Sequence, residues 1–93
     1  MPVRIQMSRA RGWRMPAGAI VVARPSRWGN PYLVSDYGRV GAVRLYREWI
    51  TSQPDLIATA VAQLRGRDLA CWCPPGQPCH ADVLLEIANG GPP

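Results

Sequence analysis

Five consecutive residues, Ala19-Ile20-Val21-Val22-Ala23, narrow what this chain can fold into more than any other stretch. An unbroken β-branched apolar run does not alternate between a wet and a dry face. It therefore reads as a strand buried on both sides, in the centre of a sheet. A sheet covered on both faces needs helices to cover it. Arg24-Pro25 closes the run, because proline has no N–H to donate to a ladder. Ahead of it, Val3, Ile5 and Met7 alternate with Arg4 and Gln6, a half-buried strand over residues 2–7. Residues 8–18 form a polar, basic connection between the two.

Beyond the run the hydrophobic period changes to that of a helix. Val43, Leu45, Tyr46, Trp49 and Ile50 make a stripe over residues 40–51, with Arg44, Arg47 and Glu48 largely off it. Ser52-Gln53-Pro54 reads as the start of a second helix, since proline is tolerated in the first turn. Its buried face would be Leu56, Ile57, Ala60, Val61 and Leu64, with Gly66 as C-terminal cap. Residues 68–73 are short, apolar and turn-bounded, a third strand. Pro74-Pro75-Gly76-Gln77-Pro78 must be a loop, and residues 79–89 form a last helix with Val83, Leu84, Ile87 and Ala88 inward. Residues 90–93 are a frayed tail. The expected fold is α/β (or α+β): about three strands flanked by about three helices, order β-β-α-α-β-α, in one domain over residues 1–93.

Composition adds exclusions. No apolar run reaches the length of a membrane span, and the basic N-terminus lacks the apolar core of a secretion signal. The expectation is a cytoplasmic protein with reduced thiols, whose three cysteines are metal ligands or reactive groups and no disulfide framework. The net charge of +5 comes from eleven cationic residues against six acidic ones. Every cation is arginine, and Arg4, Arg9, Arg11, Arg14, Arg24 and Arg27 fall before the first acid, Asp36. Arginines interleaved with Trp13 and Trp28 suit phosphate contacts and base stacking. They equally suit a solvated basic arm.

The densest chemistry is Cys71-x-Cys73-x5-Cys79-His80. Strand alternation puts Cys71 and Cys73 on one side of the third strand. Cys79 and His80 fall at the start of the last helix, where free N–H groups and the helix dipole favour a thiolate. Three uses stay open. Cys71, Cys73, Cys79 and His80 supply zinc-ligand types, though not at finger or ribbon spacing. Cys79 and His80 make a nucleophile–base pair, with Asp82 to orient the imidazole, or two cysteines make a redox dithiol. Alternatively, the cysteines are small buried hydrophobes and the helix start is merely capped.

A second motif-rich stretch, from Arg24 to Tyr32, follows the apolar run. Ligands gather where strands end in α/β sheets, and Arg24, Ser26, Arg27, Trp28, Gly29 and Asn30 could clamp a phosphate or carboxylate and stack on a flat ring. The bland reading has Trp28 and Tyr32 plugging the edge of the core. The glycine spacing matches neither a Walker nor a dinucleotide-binding loop.

These blocks resemble the domain of unknown function 4326 family, small proteins of actinobacteria and their phages. The resemblance rests on Arg24, Trp28, Gly29, Asn30, Pro31 and Tyr32, then on Leu69, Cys71, Cys73, Pro78, Cys79, His80, Asp82, Leu84 and Leu85. It implies that the two blocks form one site, and it brings no settled activity. The leading expectation is a pocket for an anionic or nucleotide-like ligand, with thiol chemistry or zinc at the Cys/His segment. The alternatives are a nucleic-acid-binding module with a structural zinc, and a protein-interaction module anchored on exposed Trp13 and Trp72.

Overall fold

The structure, a computed structural model, describes residues 2–24 and 26–90. Pro25 and residues 91–93, expected to close a strand and to form the tail, lie outside the described residues. Three short strands, β1 (Arg4–Gln6), β2 (Ile20–Val21) and β3 (Leu69–Cys71), make a parallel sheet in the order β1-β3-β2. Three helices, α1 (Val34–Thr51), α2 (Pro54–Leu64) and α3 (His80–Ala88), complete the expected β-β-α-α-β-α succession.

The centre of the sheet is β3. Leu69 pairs with Arg4 on one side and Ile20 on the other, and Ala70 with Ile5 and Val21. All three β3 residues are buried, and a strand covered on both faces and flanked on both edges has room for little besides apolar side chains. This corrects the expectation for residues 19–23. β2 is an edge strand, and Val21 is 40% exposed. The burial that its composition demands falls on Val22 and Ala23, just past the ladder. The ladder extends through Val22 N–H to the Ala70 carbonyl (2.9 Å) and Met7 N–H to the Cys71 carbonyl (2.7 Å).

In α1 the buried residues Ala42, Tyr46 and Ile50 recur at i, i+4 and i+8, as the stripe requires. The helical segment starts earlier than residue 40. One turn from Val34 runs into Gly38, whose φ of 73° and ψ of 164° break the helix before its main body. In α2, Ala60 and Leu64 are buried and Leu56 and Ile57 half-buried. Val61, expected inward, is exposed, since it sits about 100° round the helix from Ala60. The end of α3 is tied to the turn before β3 by Asn89, whose Oδ1 accepts from Gly66 N–H (3.0 Å) and whose Nδ2 donates to the Leu85 carbonyl (2.8 Å).

The strands being parallel, their C-terminal ends share one side of the sheet, and the chain leaving β3 enters α3 there. Among the described residues no helix is long and apolar enough to cross a membrane.

Candidate functional site

Cys71 ends the central strand, and the proline loop carries the chain back so that Cys79 becomes the residue before α3. The Sγ atoms of Cys71, Cys73 and Cys79 all lie within 4.8 Å of one another. Cys71 and Cys79 are buried, with their sulfurs 3.0 Å apart, and no disulfide joins them. Cys73 is half-buried. The even spacing of Cys71 and Cys73 thus delivers both sulfurs to the side on which α3 begins.

The charge of this cluster concentrates on one sulfur. Cys79 is held far below the ordinary thiol range by hydrogen bonds from Cys71, then Cys73, with backbone N–H at Ala81 and the Arg4 guanidinium adding to them against the opposing effect of burial. Cys71 is pushed up by its hydrogen bonds with Cys73 and Cys79 and by burial.

His80 lies beside the cluster without joining its three-sulfur group. It is 8% exposed, and its Nε2 is 2.7 Å from the Val22 carbonyl oxygen. A carbonyl only accepts, so Nε2 carries the proton and donates it. Burial holds the imidazole below its ordinary pKa, which leaves it neutral near pH 7 with Nδ1 as an acceptor 3.7 Å from Cys79 Sγ. Asp82 does not orient this ring. Its Oδ2 accepts from Cys79 N–H (3.2 Å) and from Arg4 Nη1 (3.4 Å), which caps α3. Arg4 also donates to the Pro74 carbonyl (3.2 Å). This arginine, counted in the basic arm, is a strut across the start of α3.

The loop after β2 divides its residues differently. Trp28 is 4% exposed and sits in the core, and its carbonyl accepts from the Tyr46 hydroxyl (2.9 Å). Gly29 lies against the Arg24 backbone, where a Cβ would come within 2.9 Å of Arg24 Cα. Asn30 donates from Nδ2 to the Ala42 carbonyl (3.1 Å) and accepts at Oδ1 from Tyr32 N–H (2.9 Å). The Ser26 hydroxyl is buried and has no hydrogen-bond partner among the described residues.

Both segments meet at one cavity of ≈ 210 Å³. Its floor is Cys71, Cys73, Cys79 and His80, and Arg24, Arg39, Tyr32 and Trp72 stand among its walls. Of the loop residues expected to bind ligand, Arg24 and Asn30 line it. Ser26, Arg27, Trp28 and Gly29 do not. Trp28 fills the core in their place, and Trp13, expected exposed, is half-buried and packed against that core. Trp72 is 47% exposed, with the Arg9 guanidinium 5.1 Å from its ring centroid. Arg39 escaped the sequence reading. Its only signal was Gly38 before it, the residue whose helix break redirects the chain.

A family model described as a domain of unknown function, DUF4326, matches residues 5–90 and so takes in both cavity-lining segments. The chain belongs to the DUF4326 family. An uncharacterised protein of Acanthamoeba polyphaga mimivirus is 29% identical to it over 84 residues, covering 82% of this chain and 57% of that protein. The chain thus spans just over half the length of this viral relative. No solved structure matches. In this DUF4326 domain Cys71, Cys73 and Cys79 could together hold a metal ion. The site can also present Cys79 as a nucleophile beside a neutral His80.

Proposed function

We propose that this domain binds an anionic, nucleotide-like small molecule in the cavity at the C-terminal ends of its strands. One observation carries the reading: the cavity is lined from both motif segments and combines two guanidiniums with two aromatic side chains. Arg24 and Arg39 offer the fork geometry that suits phosphate or carboxylate. Tyr32 and Trp72 offer flat apolar surface for a ring. The volume of ≈ 210 Å³ is below that of drug-sized sites, about 300–1,000 Å³, so the enclosed part of the ligand is no larger than a base or a sugar phosphate. Asn30, with both amide atoms bonded within the protein, positions the wall and does not grip the ligand.

Calorimetric titration with inorganic phosphate and a set of ribonucleoside monophosphates tests this. At least one should bind, and Arg39→Gln should weaken it about ten- to a hundredfold, the loss of one charge-assisted hydrogen bond. Absence of binding by every anion would end the proposal. Retention of single-stranded DNA or RNA that falls steeply with salt, with no small molecule competing, would instead favour the basic N-terminal third as a nucleic-acid surface.

A further inference from the structure

The three cysteines are more than a pocket that binds an anion needs. An arginine-lined cavity for a negative ligand gains nothing from three cysteine sulfurs gathered within 4.8 Å of one another on its lining. A nucleophile–base pair uses Cys79 and His80 and makes Cys71 and Cys73 only hydrogen-bonding neighbours of the nucleophile. A second thiol 3.0 Å from a nucleophile would also capture its oxidised form as a disulfide. A cation among the sulfurs gives all three a role as ligands.

We propose that Cys71, Cys73 and Cys79 bind one zinc ion as three thiolates, with the fourth coordination position open to the cavity. Ligand chemistry selects the metal. Thiolates favour zinc, copper(I) and iron–sulfur clusters, and clusters ordinarily take four cysteines. Zinc accepts three protein ligands with a fourth site left for solvent or substrate. An ion about 2.3 Å from each sulfur in tetrahedral geometry sets sulfurs about 3.8 Å apart. Here Cys71 and Cys79 have their sulfurs 3.0 Å apart, and all three sulfurs lie within 4.8 Å of one another.

The surroundings fit as well. The Cys79 backbone is held by Asp82, which Arg4 in turn holds, so this ligand is oriented by its neighbours. His80 stays outside the ligand set, because its ring nitrogens do not join the group whose ligand atoms all lie within 4.8 Å of one another. Cys73 also borders a second hollow with Arg4, Gln6, Pro75 and Gly76. All three ligands line the main cavity together with Arg24 and Arg39. The open position therefore points at the place where the anion of the previous section would sit, and only this last element rests on that reading.

The test uses untagged full-length chain purified without chelator, with metal content measured and the metal then replaced by cobalt(II). The expected result is one zinc per chain, and a cobalt form with the intense visible bands of tetrahedral cobalt and near-ultraviolet thiolate charge transfer. Cys73→Ser removes a half-buried ligand without touching the sheet, and should weaken cobalt binding more than about a hundredfold. Direct titration of the unaltered protein gives the same answer should that variant fail to fold. Inorganic phosphate should shift the visible bands of the cobalt form. Metal-free protein that shows no thiolate charge transfer with cobalt, or a Cys71–Cys79 disulfide formed under the same conditions, would overturn the site. Normal cobalt bands that ignore phosphate would overturn the open position alone, while failure of the anion reading shows separately as absent calorimetric binding.

Discussion

In the loop of residues 26–30 most polar groups find their partners inside the protein, whereas in residues 71–80 the sulfurs find chiefly one another. Both segments are dense in functional residue types, and both border the cavity. Yet Trp28 gives its ring to the core and its carbonyl to Tyr46, Gly29 admits the Arg24 backbone, and Asn30 spends both amide atoms on the turn and on α1. Cys71, Cys73 and Cys79 converge instead on one another, with all three sulfurs within 4.8 Å. The difference separates scaffold from chemistry: a motif residue whose hydrogen-bonding capacity is exhausted within the fold builds the site, and one left with spare capacity can act in it.

Three substitutions in the loop probe that division. Trp28→Ala should have the largest effect, a loss of about 3–5 kcal/mol, seen as a fall in the denaturant midpoint. For a domain of this length that is a large part of the total, about 5–14 kcal/mol. A Trp28→Ala protein of unaltered stability that no longer binds anions would mean that the tryptophan is a ligand contact, and the division would break. Gly29→Ala comes next, at about 1–3 kcal/mol, because its Cβ would meet Arg24 backbone, which cannot swing aside. Any loss of anion binding should follow from displacement of Arg24. Ser26→Ala should be smallest, between neutral and a gain of about 1 kcal/mol, since it removes a buried hydroxyl without a partner. Ser26 keeps spare capacity among the described residues but does not line the cavity, so marked weakening of anion binding in that variant, at unchanged thermal stability, would place its hydroxyl in the site.

How far the molecule could be read in advance follows from the range of the forces involved. The order of elements was legible because periodicity, proline and glycine act locally. The convergence of Cys71 with Cys73 was too, since strand alternation spans only two residues. The edge position of β2 was not, for residues 19–23 are as apolar as a central strand and only the pairing with residues 69–71 decides which strand lies between the others. Trp28 shows the same limit. Nothing in the Arg24–Tyr32 stretch tells a stacking platform from a core plug until Tyr46, eighteen residues on, arrives at its carbonyl. Asp82 was placed correctly in the first turn of α3, but its tie to Arg4 crosses 78 positions of sequence. Arg39 was missed because its route into the cavity depends on the backbone of Gly38 and on no pattern of side chains.

The order β1-β3-β2 also has a consequence in time. A ribosome making this chain releases both outer strands early and the one between them late. When Leu64 emerges, β1, β2, α1 and α2 are all outside the exit tunnel, yet neither strand has a neighbour to bond with, since each pairs solely with β3. At about 5–20 residues per second the unpaired backbone of residues 4–6 and 20–21 waits several seconds in water. The arrival of Leu69-Ala70-Cys71 then closes two long loops at once, and entropy makes such late, distant closures slow. The strand that completes the sheet also brings the first of the sulfurs, so the sheet and the cysteine cluster begin to form together.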